Sequence, residues 1–432
     1  MVFSKFQRRD VLKTGAMLAA GLVVPKKTLF SADEGHNSWS FPPEVATIYS
    51  KDYGRKRIKK VQAALKKAGL EGLVVTNRGL DYIGYVSNFH PFPLEPGLAL
   101  IPAEGPTTLF VNTYSSAHTR ALKPLVWCDQ LVDVPRDHIS EGSNRNLIDW
   151  SIRSLLELKL DKSKIGLAGD EVDWILPYYF RQKLPSARFE DANRTLTEVI
   201  AIKDEVEIAL IRFAQRYIDE IAYPTFTRNL KPGALDYDVF TKVLAAMLER
   251  GSSPGTVLLW DAGPAGAGTW ASSTRGRTLE KSDIVLSEPT PSIAGYQSEK
   301  MYTFALGRDV PESQKKGAHV VFEAFELLME DLKPGRKLST IVEKVNSYFR
   351  SKGYEGATVP VGHWIGTQNH EGPRFTAEGT RDWVLQTNMV MSWHPNLVIP
   401  GKVRTTCSTC VLITDKGAQD LSSVKMEPIY YL

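Results

Sequence analysis

The sequence predicts an α/β domain followed by an α+β domain, and two patterns along the chain lead to this expectation. Between residues 44 and 195, short apolar strands alternate with helical stretches, which is typical of a sheet covered by helices. From residue 196 onward, long charged helices precede a run of strands, the order of an α+β domain. A composition of 43% hydrophobic and 24% charged residues is that of globular proteins and excludes the fibrous and disordered classes.

The first predicted domain, residues 44–195, begins with a helix. The segment KDYGRKRIKKVQAALKKAG places Ile58, Val61 and Leu65 on one helical face with lysines opposite, and Gly69 ends the helix. The apolar strand LEGLVVT follows directly. The later elements are the strands LALIP at 98–102, TTLFV at 107–111 and KIGLAG, with a helix at Asn146–Lys159 before the last strand.

The second predicted domain, residues 196–432, opens with two helices. Ile208, Ile211 and Ile218 recur on one face of the first helix, and a Pro-Gly pair separates it from the second. The remaining elements are strands at TVLLW, DIVLSE and GYQSEKMYTFALG, helices at Glu312–Leu332 and Lys337–Lys352, and strands at NMVMSWH and TTCSTCVLIT. Helices followed by antiparallel strands predict an α+β domain.

Residues 1–32 have the layout of a secretory signal, with a basic start, a mild apolar middle and an abrupt Pro-Lys-Lys end. Arg8-Arg9 followed by Leu12-Lys13 resembles a twin-arginine export signal. We therefore expect the folded protein to be exported to a periplasm. The alternative is an amphipathic first helix of the mature fold, which the glycines of this stretch would weaken.

The charge of the chain gives little reason to expect an anionic partner. Lys and Arg number 53 against 49 Asp and Glu, a net charge of +4. Six basic residues and one acidic residue lie within residues 1–32, so the chain that follows is close to neutral and we expect no nucleic-acid partner. No run reaches the roughly 20 apolar residues of a membrane span, and three cysteines are too few for a disulfide scaffold.

Four ordered segments carry a resemblance to a known family. They are AIKDEVEIALIRFA, SDIVLSEPTPSIAGYQSEKMYTFALG, VGHWIGTQNHEGPRF and MVMSWHPNLVIPGKVRTTCSTCVLITDKG. They resemble the catalytic domain of the creatinase, prolidase and aminopeptidase P family, the pita-bread fold, and LEGLVVTNRGLDYIGYVSNF resembles its amino-terminal domain. The similarity runs from Glu44 to the carboxy terminus. It implies a hydrolase that acts on a C–N bond, and a homodimer.

The resemblance also implies a metal site. Active members of the family hold two divalent ions with two Asp, one His and two Glu. The matching positions here are Glu288, Glu299, His363, His394 and, for the last Glu, Ser408 or Thr409. Four of these five positions depart from the family pattern, although the first four still carry residues that bind first-row metal ions. We expect one divalent ion (zinc, iron or manganese) held by Glu299, His363 and His394, with Glu288 as a further ligand candidate.

Further site residues follow from the same resemblance. His370 and Glu371, in TQNHEGPRF, are expected to handle protons together with His363, and a solvated loop is the alternative for this segment. Trp270 stands where the family has a His on the substrate side. The residues expected to contact the substrate are Trp270, Tyr302 and Arg404.

Cys407 and Cys410 form a CxxC motif, a spacing that binds metal or performs redox chemistry in some proteins. In a strand, residues i and i+3 point to opposite faces, which favours the interpretation as two small half-buried residues. Alternatively, Cys407 or Ser408 reaches the position of the missing Glu, and the strand register decides between them.

Three hypotheses for function follow. The first is an exported hydrolase of the aminopeptidase P, prolidase and creatinase type, acting on a small amide, amidine or dipeptide-like substrate with a single-metal site. Because creatinase-like members hydrolyse a C–N bond without metal, the second is a metal-free hydrolase or a lyase. The third is a non-catalytic small-molecule-binding protein that has lost the two-metal centre. Metal analysis and activity after chelation discriminate among the three.

Overall fold

The computed structural model describes residues 40–76, 82–90, 96–112, 115–135, 145–169, 175–253, 255–264 and 274–432. The predicted export signal at residues 1–32 and the predicted substrate contact Trp270 lie outside these ranges. Within them, no helix combines the length and the apolar character that crossing a membrane requires.

A mixed sheet organises the first part of the chain. Its strands are β1 (Gly72–Thr76), β2 (Gly97–Pro102), β3 (Thr108–Val111), β4 (Gln130–Asp133), β5 (Lys164–Ala168) and β6 (Arg188–Asp191). In the order β4-β3-β2-β1-β5-β6, β2 pairs antiparallel with β1 and β3, and the other neighbours are parallel. Leu73 and Val75 pack into one buried cluster and Val74 into another, because successive side chains point to opposite faces.

Helices cover both faces of this sheet. They are α1 (Glu44–Ile48), α2 (Lys51–Lys67), α3 (Tyr82–Ser87), α4 (Ser116–Leu122), α5 (Arg145–Glu157), α6 (Ile175–Lys183) and α7 (Asn193–Ala201). The Ser50 side chain accepts a hydrogen bond from Tyr53 N and caps α2. The helix buries Ile58, Val61 and Leu65, as their spacing predicts. A helix-covered sheet confirms the predicted α/β class of this part.

A helical layer begins the second part of the chain. Its elements are α8 (Glu205–Tyr217), a π-helix (Ile218–Ala222), α9 (Tyr223–Asn229) and α10 (Asp236–Leu248). Asp204 and Glu207 cap α8 reciprocally, each side chain accepting a hydrogen bond from the backbone of the other. In the π-helix, the Asp219 carboxylate accepts hydrogen bonds from Ser422 Oγ at 2.8 Å and Ser423 N at 2.6 Å. These bonds join the helical layer to the segment near the carboxy terminus.

A largely antiparallel sheet completes the fold. The remaining strands are β7 (Val257–Gly263), β8 (Ile284–Thr290), β9 (Ser292–Ile293), β10 (Tyr296–Gln297), β11 (Lys300–Ala305), β12 (Gly362–Trp364), β13 (Val390–Trp393), β14 (Asn396–Ile399), β15 (Val403–Thr406), β16 (Ser408–Thr414), β17 (Gly417–Asp420) and β18 (Tyr430–Tyr431). The main order is β12-β13-β16-β11-β8-β7, with β17 on β16 and β18 on β11. Helices α11 (Glu312–Met329) and α12 (Leu338–Ser351) pack with this sheet in one apolar cluster. The α+β class predicted for this part is confirmed.

Two strands differ in detail from the prediction. Strand β8 continues to Thr290, so Glu288 lies inside the strand rather than at its end. The predicted strand GYQSEKMYTFALG is divided into β10 and β11, with Glu299 between them. The division arises because Gln297 N donates to Gly366 O at 2.7 Å, whereas β11 pairs with β8 and β16. Glu299 therefore lies at the point where the backbone changes its pairing partner, from Gly366 to strands β8 and β16.

Candidate metal centre

Three metal-ligating side chains converge at one end of the second sheet. Glu299 precedes β11, His363 lies in β12, and His394 follows β13. Each offers one donor atom, and the three atoms lie within 4.8 Å of one another. All three residues are buried. Among the described residues this is the one such group of His, Cys, Asp or Glu, so the structure brings together the three side chains predicted as the core of the metal site.

The hydrogen bonding of His363 fixes which ring nitrogen faces Glu299. His363 Nδ1 lies 3.0 Å from the carbonyl oxygen of Trp364, and because a carbonyl only accepts, Nδ1 carries the proton. His363 Nε2 lies 3.3 Å from Glu299 Oε1. When the ring carries only the Nδ1 proton, Nε2 is an acceptor and faces the Glu299 oxygen, which is also an acceptor. Either a second proton on the ring or a metal ion between the two atoms satisfies both.

Two further atoms of the centre, Glu299 Oε2 and His394 Nδ1, are buried and have no partner within the described parts of the chain, apart from a hydrogen bond between Glu288 and Glu299 that forms when Glu288 is protonated. Leaving buried polar atoms unpaired is costly, and metal coordination is one way to satisfy them. The residues present therefore fit a divalent ion, with one carboxylate and two imidazoles as ligands.

The charge states of the centre also suit a metal. Burial alone would raise the pKa of Glu299, but His363, His394 and the Ser392 hydroxyl outweigh burial and lower this pKa to about 2. Burial first and His363 second lower the pKa of His394 to about 4. At neutral pH, Glu299 is a carboxylate and His394 a neutral imidazole. These are the forms that bind metal ions.

Glu288, the fourth predicted ligand, lies beside this group rather than within it. Its Oε1 accepts hydrogen bonds from Asn369 Nδ2 and Thr290 Oγ1, both at 3.3 Å. Burial raises the pKa of Glu288 well above its usual value, and the nearby Glu299 carboxylate raises it further. Both effects favour the protonated form of Glu288 over the carboxylate, and its role as a ligand remains a prediction.

The strand register decides which residue occupies the last family ligand position. Ser408 pairs with Met301 of β11, and its Oγ lies 3.2 Å from Ser392 Oγ, which itself donates to Glu299. Thr409 faces the other way and donates to Asp420 Oδ1 at 2.7 Å. Of the two candidates for the last family position, Ser408 is the one whose side chain is linked to the three donors. The hydroxyls of Ser408 and Ser392 lead in turn to Glu299.

Neither cysteine of the CxxC motif belongs to the group of three donors that converge among the described residues. Cys407 and Cys410 are fully buried thiols in or next to β16. Burial raises the pKa of each thiol to about 12, which disfavours the reactive thiolate.

The two residues predicted to handle protons have different surroundings. The His370 ring lies 3.9 Å from the His363 ring, centroid to centroid, and burial followed by His363 lowers the pKa of His370 to about 3. Glu371, by contrast, is buried and its Oε2 lies 2.7 Å from Lys203 Nζ. Its Oε1 accepts hydrogen bonds from Thr367. His370 adjoins the metal centre, whereas both Glu371 oxygens are already engaged.

The predicted substrate contacts Tyr302 and Arg404 have other partners. Tyr302 is fully buried in an aromatic cluster, stacked on Tyr223 with ring centroids 5.4 Å apart. Arg404 is 1% exposed and pairs with Asp261, while its backbone N donates to the Gln314 side chain at 2.8 Å. Neither side chain is brought to the three donors by a contact in the structure.

Sequence reasoning did not single out Lys203, Ser392 or Asn369. Each touches a site residue: Lys203 pairs with Glu371, Ser392 donates to Glu299, and Asn369 donates to Glu288. Nothing in residue type distinguishes Lys203 from the other lysines. Only its place just before the Asp204 helix cap, where the chain is anchored, is a usable signal.

Comparison with known proteins relates this chain to a family. The model described as creatinase/prolidase amino-terminal domain matches residues 57–199, and that of metallopeptidase family M24 matches residues 209–418. A Bacillus subtilis protein provisionally named a dipeptidase is 24% identical over 85% of this chain and 97% of its own length. A Pyrococcus furiosus Xaa-Pro dipeptidase is 23% identical over 63% of this chain and 77% of its own.

Solved structures agree on the fold. A prolidase from Thermococcus sibiricus has a TM-score of 0.73 and 19% identity, covering 88% of this chain and 99% of its own. A dipeptidase from Mycobacterium ulcerans also has a TM-score of 0.73 and 19% identity, covering 89% of this chain and 100% of its own. The predicted pita-bread fold is thus confirmed. Since the two family models follow each other along most of the sequence, the chain belongs to the creatinase, prolidase and aminopeptidase P family.

Proposed function

We propose that this protein is an exported hydrolase that cleaves the C–N bond of a dipeptide or similar small amide with a single-metal site. The observation that supports a metal is the convergence of Glu299, His363 and His394, whose donor atoms lie within 4.8 Å of one another, with the buried His394 Nδ1 left unpartnered among the described residues. The names of the relatives, dipeptidase and prolidase, support a dipeptide-like substrate.

The donor set favours one ion rather than two. Glu299, His363 and His394 together supply one negative charge, whereas bridging two divalent ions needs several carboxylates. Ser408 provides a hydroxyl in place of the carboxylate that would complete a second site. Zinc, iron and manganese all suit two imidazoles and a carboxylate. When bound, such an ion polarises the scissile carbonyl and acidifies a water molecule.

The protein's own residues would then supply proton transfer and hydrogen bonds to the substrate. His370 lies against His363 and is half-buried, so we assign proton transfer to its ring. Glu288, as a neutral acid beside Glu299, is able to donate a hydrogen bond to a negatively charged oxygen of the substrate. Asn369 donates to Glu288 and keeps its carboxyl group in place.

A non-catalytic binding protein is the second candidate function. The observation that favours it is the loss of the last family carboxylate at Ser408 and of the Glu at His394, which removes the charge needed for a two-metal mechanism. Such a protein would bind a dipeptide-like ligand at the same residues without turnover.

Metal content and turnover test the proposal. Protein purified after export is expected to contain one divalent ion per chain and to hydrolyse part of a dipeptide panel that includes Xaa-Pro substrates. His394→Ala should lose the ion and the activity, while His319→Ala, at an exposed position on α11, should keep both. Activity that survives complete chelation supports the metal-free hydrolase. Metal and ligand binding without turnover supports the binding protein.

We also propose that the protein is a periplasmic homodimer. The twin-arginine resemblance of Arg8-Arg9 supports export, and the family resemblance supports the dimer. Replacing both arginines by lysine should retain the protein in the cytoplasm, as cell fractionation would measure. Sedimentation equilibrium of the mature chain should give twice the monomer mass. Periplasmic delivery of the lysine variant, or a monomer at micromolar concentration, would contradict the corresponding part.

A further inference from the structure

A buried ion pair lies beneath the loop that carries His370. Lys203, between α7 and α8, has its Nζ 2.7 Å from Glu371 Oε2 and also donates to Ile200 O at 2.7 Å. The two side chains are 0% and 2% exposed. Lys203 N donates to Asn388 O at 2.9 Å, so the lysine backbone is itself anchored. Hydrogen bonds from both its backbone and its side chain therefore hold Lys203 in place.

The second side-chain oxygen and the backbone N–H of Glu371 form hydrogen bonds within the loop. Its Oε1 accepts hydrogen bonds from Thr367 N at 2.6 Å and Thr367 Oγ1 at 3.0 Å, and its backbone N donates to Trp364 O at 3.0 Å. These hydrogen bonds join the two ends of the loop formed by residues 365–370. That loop bears Asn369, which contacts Glu288, and His370, which contacts His363.

Gly366 shows how tightly the pair is enclosed. A Cβ at this position would lie 2.6 Å from Glu371 Oε1 and 2.6 Å from Lys203 Cε, distances that real side chains do not adopt. The loop backbone passes directly over the ion pair, and only glycine permits this approach. Movement of the pair would consequently move the loop.

We propose that Lys203 and Glu371 are positioning residues that set the place of His370 and Asn369 in the reaction, an inference that rests on the proposed function. A buried ion pair is weak evidence for stability, because well-packed apolar side chains often serve equally well. This pair instead uses both Glu371 oxygens to close the loop on itself and to join it to the segment of Lys203. Glu371, predicted above to handle protons, acts through His370 rather than on the substrate.

Kinetics of four variants test the proposal. Glu371→Gln and Lys203→Met should each lower kcat about a hundredfold, the loss typical of a reacting group displaced by about 1 Å. KM and metal content should stay near those of the wild type. The double variant should lose little more than either single variant, since both remove one interaction. Lys203→Arg, which keeps the charge, should recover most of kcat.

Asp261→Asn is the matched control. It removes a carboxylate from another buried ion pair, with Arg404, in which both side chains are 1% exposed. It should lower the melting temperature as much as Glu371→Gln while leaving kcat within about threefold, because its partners do not bear the loop. If Glu371→Gln does not fold, Gly366→Ala keeps both charges and should displace the loop with the same loss of kcat.

Amide hydrogen exchange tests the positioning role without an activity assay, because it reports directly on the loop. In Glu371→Gln and Lys203→Met, the amides of residues 365–371 should exchange at least about tenfold faster than in Asp261→Asn, with Thr367 affected most. Unchanged exchange there would overturn the inference, and so would Lys203→Met with full kcat beside an inactive Glu371→Gln. A wild type without metal-dependent turnover would instead refute the proposed function, and exchange would still decide the positioning role.

Discussion

Two buried clusters of charged side chains differ in how completely their polar atoms are partnered. Between α2 and α8, Arg57 and Glu207 are 2% and 1% exposed and lie 3.0 Å apart. The other Glu207 oxygen accepts from Asp204 N at 2.9 Å, and the Arg57 guanidinium lies 4.4 Å from the centre of the Tyr85 ring. In the metal centre, a buried nitrogen of His394 has no partner in the parts of the chain that are described.

The difference agrees with a structural role for the first cluster and a binding role for the second. Burying charge is costly unless each group is paired and hydrogen-bonded. Arg57 and Glu207 meet this condition with the protein's own atoms. The metal centre leaves a buried nitrogen of His394 unpaired among the described residues, and a bound ion would meet the condition there. Substitutions in the metal centre should therefore reduce metal binding and activity, whereas substitutions in the Arg57–Glu207 cluster should reduce stability.

Removing a ligand carboxylate should have the largest effect. Glu299→Ala deletes the negatively charged donor, and we expect the metal content to fall below about 0.1 per chain and hydrolysis to fall about 10⁴-fold, or about 5.5 kcal/mol of activation free energy. Elemental analysis and a dipeptide hydrolysis assay measure the two losses. Retained metal with retained turnover would exclude Glu299 as a ligand.

Breaking the partnered cluster should cost stability instead. Glu207→Ala leaves Arg57 buried without its counter-charge, and we expect the free energy of unfolding to drop by about 3–5 kcal/mol with metal content unchanged. Urea denaturation measures the drop. Adding Arg57→Met should recover part of the loss, because no unpaired charge then remains. A loss of metal in Glu207→Ala would show that the two clusters are not independent.

Removing the metal should lower stability in the wild type. An ion present at about 100 times its dissociation constant stabilises the folded state by about 2.7 kcal/mol, so chelation should reduce the free energy of unfolding by that order. Glu207→Ala should show the same sensitivity to chelator, and Glu299→Ala should show none. Equal chelator sensitivity in Glu299→Ala would place the ion elsewhere.

Deleting the Ser408 hydroxyl should have the smallest effect. Ser408→Ala removes one buried hydrogen bond to Ser392, and we expect a loss of about 1 kcal/mol in stability and less than a threefold change in kcat. Thr409→Val deletes a hydroxyl from the opposite face of β16 and serves as the control. A metal-free Ser408→Ala protein would identify this hydroxyl as a ligand, contrary to the three-donor site.

The fold was largely predictable because hydrophobic periodicity determines it. Ile58, Val61 and Leu65 are spaced as on a helix and are buried by α2. Apolar runs such as LEGLVVT and DIVLSE became strands β1 and β8. The break between β10 and β11 was not predictable in this way, since it depends on which strand each backbone segment pairs with.

The site was predictable by residue type but not by register. Glu299, His363 and His394 could be proposed as ligands because His and Glu coordinate metals wherever they converge. The choice between Ser408 and Thr409 required the pairing of β16 with β11, because a shift of one residue reverses the face of every side chain. Lys203 could be recognised only by its position before a helix cap, and its contact with a loop distant in sequence could not be predicted.

The strand order has a consequence for when the centre can form. Strands β13 and β11, next to two of the donors, do not pair with each other but are both paired to β16, which ends at Thr414. A nascent chain that has already exposed Glu299, His363 and His394 still lacks this shared strand. We therefore expect a chain truncated before Ser408 to contain all three donors and to bind no ion.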